Sequence, residues 1–248
     1  MRDAEQSSRR SDHSPALAVG AASTVNPFAV SRVGLSQLDF IESTAGTVDS
    51  VASRLRNSNW RGQIIGPHGS GKTTLTIALA KSLAGQFRRF SWLVLHPGRW
   101  WFARPRCRVQ LAARSESSGN GLEFLEFRSD EPEGLIAKRL QRLGPSELCF
   151  IDGVDQLSGG WQRKLIHAAE KHAVVWTGHQ KLPGNLPMLA ELHPDLNVFR
   201  QLVERLLANA GKSLEQDLID EAFRQADGDF RRAFGRLYDS WEQAKRSR

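Results

Sequence analysis

The segment GPHGSGKT, from Gly66 to Thr73, limits the possible folds of this chain more than any other part of the sequence. An apolar stretch precedes it, and leucines then recur every four residues at Leu75, Leu79 and Leu83, as in a buried helical stripe. The pattern therefore predicts a strand, a glycine loop and a helix in succession. Glycines let such a loop turn so that its N–H groups point inward at the helix N-terminus, an arrangement that binds anions.

The polar residues of this loop are of the types that hold a chain of phosphates. Lys72 brings a positive charge to the β and γ phosphates, and Thr73 offers its hydroxyl to Mg²⁺. We therefore expect the segment to bind a nucleoside triphosphate together with Mg²⁺. The residues expected to contact the nucleotide here are Gly66, Pro67, His68, Gly69, Ser70, Gly71, Lys72, Thr73 and Thr74.

The rest of the chain alternates between strand and helix patterns. Continuous apolar runs are typical of parallel strands covered on both faces, and they occur at residues 63–65, 90–95, 148–151 and 173–176. Helical patterns at residues 134–143 and 161–171 lie between them, so we expect an α/β fold, a parallel sheet sandwiched by helices. Two stretches within residues 106–127 flank a cluster of turn residues and predict a β-hairpin.

The sequence divides into three parts. Residues 1–25 are rich in Ser, Ala and charge without any period, which predicts a disordered tail. Residues 26–194 hold the strand and helix alternation and predict the nucleotide-binding core, opening with a helix that Thr47 or Asp49 caps. Residues 195–248 contain three helical patterns separated by Gly211 and Gly228, which predict a small helical lid.

An aspartate directly follows the apolar run at residues 148–151. Asp152 stands at the end of its predicted strand, where a carboxylate can hold the water shell of Mg²⁺ beside the glycine loop. We therefore predict Thr73 and Asp152 as the magnesium pair, although an aspartate can also simply end a strand. Many ATPases place a glutamate next to orient the attacking water, but here Gly153 follows, so the sequence predicts nucleotide binding more directly than hydrolysis.

Other polar residues lie where a terminal phosphate would be. Asp155 is a candidate for this role or a surface turn residue, and Thr177 and His179 follow the last apolar run. His179 is either a phosphate contact or exposed to solvent. Arg231 lies in the first turn of the last helical pattern, from which a closed lid would bring it to the phosphates. The predicted catalytic residues are Lys72, Asp152, Asp155, Thr177 and Arg231, with His179 as a further nucleotide contact.

The segment LSGG at residues 157–160 looks like the signature of ABC transporter ATPases, but its position excludes that reading. In those proteins the signature precedes the aspartate strand by about a helix, whereas here it follows Asp152 at once. Ser158 and the two glycines are instead expected to cap a helix that starts near Trp161.

Together, GPHGSGKT, LCFID, the strand ending in TGH, and GDFRRAF on a C-terminal helix resemble the AAA+ ATPases and their relatives among the P-loop NTPases. The resemblance covers about residues 26–239. It implies that Lys72 and Thr73 are Walker A residues, Asp152 the Walker B aspartate, Thr177 sensor 1, and Arg231 sensor 2 on a helical lid. The chain departs from the family in having no Asp-Glu pair at the end of the Walker B strand and no clear arginine finger.

The formal net charge is +7, and a single segment carries seven positive charges with no negative one. Between Arg88 and Arg114 there are seven arginines, interleaved with Phe and Trp, and no acidic residue. Such a mixture contacts nucleic-acid phosphates and stacks on unpaired bases. The alternative is that the aromatic residues belong to a core strand and the arginines pair with the acidic stretch at residues 123–133 or are solvated.

Three functions fit these observations. In the first, Mg²⁺-ATP draws the lid onto the sheet and hydrolysis releases it. The second is a P-loop phosphotransferase acting on a small molecule, although neither an arginine-bearing lid within the core nor an acceptor pocket is evident. The third is a nucleotide-binding scaffold that does not hydrolyse, which Gly153 motivates.

The composition also bears on the compartment. No stretch approaches the ~18 consecutive apolar residues that a membrane-spanning helix needs. Of the two cysteines, Cys149 lies within a predicted buried strand, which argues against a stabilising disulfide and for a reducing compartment. We therefore expect a cytoplasmic protein, and the sequence leaves a protein partner and an oligomer open.

Overall fold

The computed structural model describes residues 26–29, 33, 38–42, 46–96, 106–114, 122–129 and 132–246. The helices are α1 (Val48–Asn57), α2 (Lys72–Ser82), α3 (Pro132–Gln141), α4 (Gly159–Ala168), α5 (Leu196–Asn209), α6 (Gln216–Gln225) and α7 (Phe230–Arg246). The strands are β1 (Arg61–Ile65), β2 (Arg89–His96), β3 (Arg106–Arg114), β4 (Leu122–Ser129), β5 (Glu147–Asp152), β6 (Ala173–Gly178) and β7 (Met188–Glu191). One turn of 3₁₀ helix lies at Val154–Gln156.

The seven strands form one sheet in the order β4-β3-β2-β5-β6-β1-β7. Five of them, from β2 to β7 in that order, are parallel, and β3 and β4 extend the β2 edge as an antiparallel pair. The expected α/β fold with a parallel sheet between helices is therefore confirmed. The hairpin is confirmed too, although its turn lies outside the described residues. The sequence analysis missed β7, because four residues after a proline give too short a pattern.

The two faces of the sheet bury different sets of side chains. On β5, Leu148 and Phe150 join the cluster of α1 and α2, whereas Cys149 and Ile151 join the cluster of α3 and α4. Successive residues of a strand point to opposite faces, so a strand covered on both sides must be apolar throughout. This is the physical reason for the continuous apolar runs in the sequence.

Local signals determine where the helices begin. The Thr47 hydroxyl accepts a hydrogen bond from the Ser50 backbone N–H at 3.1 Å, so Thr47 rather than Asp49 caps α1. The Ser158 hydroxyl caps α4, as expected, but the helix begins at Gly159 and includes both glycines. Trp161 therefore lies in the first turn of α4 rather than at its start.

The three C-terminal helices form an apolar cluster of their own. Phe199 on α5 lies at its centre, with its ring centroid 5.0 Å from that of Phe234 on α7. Phe28 packs against Phe234 and, edge-on at 6.0 Å between ring centroids, against Trp241. The helical character predicted after residue 195 is confirmed, whereas the division at this point into a core and a moving lid stays a prediction.

Part of the basic segment between Arg88 and Arg114 can be compared with the structure. Phe87, Phe90 and Trp92 are buried, so their rings are not available to stack on bases. Residues 97–105, which include the remaining aromatic residues, lie outside the described ones, as does the predicted tail at residues 1–25. Nucleic-acid binding by this segment therefore stays a prediction.

Within the described part of the chain, none of the helices is long and apolar enough to span a bilayer.

Close packing between β1 and β7 leads to the first prediction. A Cβ atom on Gly62 would lie 2.4–2.8 Å from side-chain carbons of the fully buried Leu189. Overpacking of this kind destabilises a protein by about 1–3 kcal/mol. We therefore expect Gly62→Ala to lower the free energy of unfolding by that amount in urea titrations.

Gly134 provides the matched control, because it lies on α3, and an added Cβ would meet no described atom within 4 Å outside the backbone of its own helix. Alanine is about 1 kcal/mol better than glycine inside a helix, so Gly134→Ala should leave stability unchanged or raise it. A Gly62→Ala protein as stable as the wild type would show that β7 does not pack this closely on β1.

Candidate functional site

The candidate site lies at the carboxyl edge of the parallel strands. β1 ends in the glycine loop at residues 66–71 and continues into α2, which joins the cluster on one face of the sheet. β5 ends at Asp152 and leads to α4, whose Leu165 lies in the cluster on the other face. This carboxyl edge is where open α/β sheets bind their ligands.

The glycine loop takes backbone conformations that other residues rarely adopt. Gly69 and Gly71 have φ angles of 71° and 90°, and Gly71 is the N-cap of α2. Because these angles are strained for any residue with a Cβ, the two glycines allow the chain to reverse from β1 into the helix. No side chain caps Gly71's helix among the described residues, so the first N–H groups of α2 have no intrahelical or side-chain acceptor.

Lys72 is the most unusual residue of the loop, since its side chain is buried although it carries a charge. Only 8% of the residue is exposed, and its Nζ donates to the carbonyl oxygens of Gly66 at 2.6 Å and Pro67 at 2.8 Å. Burial lowers the pKa of Lys72, while Asp152 and other nearby carboxylates act in the opposite direction. A buried ammonium held mainly by neutral carbonyls would gain free energy from an incoming anion.

Asp152 connects three elements of the site. Its Oδ2 accepts a hydrogen bond from the hydroxyl of Thr73 on α2 at 3.0 Å, and its Oδ1 accepts one from the hydroxyl of Thr177 on β6. Thr177 is fully buried, and its Cα lies opposite that of Asp152 in the parallel ladder. The carboxylate is therefore fixed beside the first turn of α2.

The pair of Thr73 and Asp152 suits Mg²⁺ in chemistry. Mg²⁺ prefers oxygen ligands and is usually bound through one or two carboxylates plus substrate phosphates and water. A hydroxyl and a carboxylate oxygen 3.0 Å apart at the edge of the glycine loop meet that requirement. Groups of three or more His, Cys, Asp or Glu able to hold a metal alone do not occur among the described residues.

A second group of polar side chains lies beside the loop. The Nδ1 of His179 is 2.6 Å from Oδ2 of Asp155, and the His179 backbone N–H also points to this oxygen at 3.4 Å. The Nε2 of His179 is 3.0 Å from Nδ1 of His68, a residue of the glycine loop. The prediction left His179 either at the site or in solvent, and the structure places it, half-buried, in contact with the loop.

The C-terminal helices reach the loop through Asp229. Its carboxylate caps α7 by accepting from the backbone N–H groups of Arg231 at 2.9 Å and Arg232 at 3.1 Å. A Cβ on Gly69 would lie 2.2 Å from Oδ1 of Asp229, so the start of α7 touches the loop. Arg231 thus lies in the first turn of α7, beside the site, with its side chain exposed to solvent.

Most of the predicted site residues come together at this edge. Lys72, Thr73, Asp152 and Thr177 are joined around the loop, and Thr74 lies in the first turn of α2. Sequence reasoning missed Asp229 as a neighbour of the loop and His68 as the partner of His179. The Gly-Asp pair ahead of a helical pattern marks Asp229 as a cap, but no local pattern shows which loop that cap touches.

Comparison of the sequence with protein-family models gives no match, and comparison with curated proteins gives none either. The geometry of this edge therefore carries the functional conclusion. It combines an uncapped helix N-terminus, a buried lysine and a threonine–aspartate pair.

The contact between Gly69 and Asp229 leads to the second prediction. Gly69→Ala and Gly71→Ala both force a side chain into the left-handed region, at about 1–2 kcal/mol. Only Gly69→Ala also clashes with the cap of α7, because a Cβ on Gly71 would have no atom within 4 Å among the described residues beyond its chain neighbours. We expect Gly69→Ala to be less stable than Gly71→Ala by about 1–3 kcal/mol in nucleotide-free urea unfolding.

Gly71→Ala is the control for backbone strain in this pair. Equal stability of the two variants would contradict the contact between the glycine loop and α7.

Proposed function

We propose that this protein binds ATP with Mg²⁺ in the glycine loop and hydrolyses it to drive a conformational switch, as an AAA+-like ATPase of the P-loop class. The observation that carries the proposal is the buried Lys72 ammonium beside the uncapped start of α2. A buried charge without a full partner is unfavourable, and the first N–H groups of the helix are donors that an anion can use. A triphosphate supplies acceptors and negative charge to both.

The remaining loop residues support the same ligand. The Ser70 hydroxyl is buried and makes no hydrogen bond among the described residues, and it lies against Gly66 within the turn. Buried polar atoms in proteins are usually paired, so an unpaired one next to Lys72 is consistent with a ligand acceptor. Narrow glycine turns also let phosphate oxygens approach the backbone closely.

Thr73 and Asp152 are the residues that would hold Mg²⁺ in this proposal. When bound, the ion neutralises part of the phosphate charge. The chain's own contribution is the position of the two oxygens, since Thr177 holds the far side of the Asp152 carboxylate. Asp152 therefore keeps its orientation if Thr73 turns toward the metal.

The switch in this proposal passes through the contact between Gly69 and Asp229. A phosphate in the loop changes the charge next to the Asp229 carboxylate, which caps α7. Like charges at close range repel, and the exposed Arg231 provides a compensating cation on the same helix turn. Nucleotide binding would thus bias the position of the C-terminal helices, which act as the lid.

A non-hydrolysing scaffold is the second candidate, because of Gly153. The residue has a φ of 78°, and an added Cβ would meet the backbone oxygen of Leu95 at 3.0 Å. The backbone conformation and the close Leu95 oxygen therefore favour glycine at this position over a water-orienting glutamate. Turnover distinguishes the two functions.

Location in the cytoplasm belongs to the same proposal, and the burial of Cys149 in β5 fits a reducing compartment.

The third prediction concerns binding. Replacing Lys72 by Ala removes the charge-assisted contact with the phosphates, which is worth about 1.5–3 kcal/mol. We expect Lys72→Ala to weaken Mg²⁺-ATP binding by at least about tenfold in calorimetry. Lys81→Ala is the matched control, since Lys81 is an exposed lysine in the last turn of the same helix, and it should bind like the wild type.

A wild-type protein with no affinity for ATP or GTP in magnesium buffer would refute the proposal. So would equal affinities of the Lys72→Ala and wild-type proteins.

The fourth prediction concerns turnover. We expect wild-type protein to release phosphate over many cycles with Mg²⁺-ATP, and Lys72→Ala to release none above background. Binding without repeated phosphate release would instead establish the scaffold. A continuous phosphate assay with Lys81→Ala as the active control decides between them.

A further inference from the structure

Asp155 and His179 form a pair that the binding of ATP and Mg²⁺ does not require. The short contact between Asp155 Oδ2 and His179 Nδ1 is reinforced by the His179 backbone N–H, which points to the same oxygen. Two elements thus hold the pair, since Asp155 lies in the 3₁₀ turn after β5 and His179 follows β6. The histidine ring therefore has a defined orientation at the edge of the glycine loop.

The carboxylate determines which ring nitrogen of His179 carries a proton. An ionised aspartate only accepts hydrogen bonds, so Nδ1 of His179 must donate to it. In the neutral ring this leaves a lone pair on Nε2, which is the nitrogen that faces His68 of the glycine loop. A histidine held in this tautomer by a carboxylate is suited to accept a proton through Nε2.

The other oxygen of Asp155 gives independent support. Its Oδ1 is buried and has no hydrogen-bond partner within the described part of the chain, and it lies close to Gly178. An unpaired buried carboxylate oxygen is unfavourable unless its charge makes another favourable interaction. A positive charge forming on His179 would provide that interaction, because the Asp155 carboxylate attracts a protonated imidazole ring more strongly than a neutral one.

His68 couples this pair to the glycine loop. The centroids of the two imidazole rings are 3.7 Å apart at an interplanar angle of 45°, so His68 also lies over the ring of His179. Burial lowers the pKa of His68, and His179 and Lys72 lower it further, which favours a neutral ring near pH 7. The charges of Asp229 and Asp155 raise the pKa of His68 and so act in the opposite direction.

We propose that His179 is the general base that takes a proton from the attacking water, that Asp155 positions it, and that His68 covers its Nε2 until nucleotide fills the loop. The proposal rests on ATP hydrolysis at this site. In this proposal His179, after β6, and Asp155, in the turn after β5, together activate the attacking water. A glutamate at position 153 would otherwise perform this task. The base also becomes accessible only when the loop rearranges around phosphates.

The chemical step balances without any further reagent. The water oxygen forms a bond to the γ-phosphorus while the bond from that phosphorus to the bridging oxygen breaks, and its electron pair leaves with ADP. One proton of the water moves to Nε2 of His179, and the resulting imidazolium is stabilised by Asp155. Loss of this proton to solvent after release of ADP and phosphate restores the neutral ring.

The test compares His179→Ala, Asp155→Asn and the wild type in ATP affinity, in kcat and in the pH dependence of kcat. A general base contributes about 10²–10⁴-fold, so we expect His179→Ala to lower kcat by at least about a hundredfold with ATP affinity little changed. Added imidazole should restore part of this loss. Asp155→Asn should lower kcat by at least about tenfold, because the ring loses its fixed tautomer.

The pH profile separates a positioning role from a structural one. In the wild type, kcat should rise with pH as the base becomes neutral. Because His179→Ala lacks the proposed base, its residual kcat should no longer follow this rise. A histidine that only supports the structure would leave the rise in place in the variant.

The control is His167→Ala, which removes an exposed histidine whose Nδ1 is likewise paired with a carboxylate, that of Glu170. It should match the wild type in every measurement. Nitrogen NMR of the histidine rings supplies a readout that does not depend on activity, with His179 expected to be protonated at Nδ1 in nucleotide-free protein.

The outcomes distinguish this proposal from the one it rests on. A wild type that binds no ATP refutes both. A wild type that hydrolyses ATP, with Asp155→Asn and His179→Ala equal to it in kcat and pH profile, overturns the base and leaves the ATPase. Variants that lose ATP affinity as strongly as kcat, or a His179 ring protonated only at Nε2, also overturn it.

Discussion

The buried ammonium group of Lys72 is the interaction on which the rest of this structure depends. A charge removed from water needs compensation, and here two backbone carbonyls and the field of nearby carboxylates provide part of it. To reach those carbonyls the chain must fold back over itself between β1 and α2, which requires the left-handed glycines at 69 and 71. The contacts of Lys72 are therefore linked to the loop conformation and to the uncapped start of α2, and together these features determine the electrostatics of the site.

The same edge of the sheet holds two carboxylates with different environments. Asp152 is tied by two threonine hydroxyls and has the oxygens that a hard cation prefers, whereas Asp155 faces an imidazole ring. Gly153 lies between them with a φ of 78°, a conformation that is strained for a larger side chain. Under the proposed mechanism, this turn would assign metal binding to Asp152 and support of the base to Asp155, two functions that an Asp-Glu pair would place on adjacent residues.

Sequence patterns predicted the elements well because the forces behind them are local. The apolar run at residues 148–151 must be a doubly covered strand, and the loop glycines sit between a strand and a helix with a buried leucine stripe. Other features depend on contacts between residues that are distant in the sequence. They are the short β7, the contact of His68 with His179 and the contact of Gly69 with Asp229. No local period encodes such contacts, so only the folded chain reveals them.

The central claim is that the backbone around the loop glycines receives a chain of phosphates, and residue-resolved amide NMR during titration with Mg²⁺-ATP tests it most directly. We expect the largest shifts at the amides of residues 68–74, with smaller changes at Asp229. Shifts concentrated elsewhere, for example at the cleft lined by Phe223 and Gly228, would contradict it, as would a spectrum that nucleotide leaves unchanged.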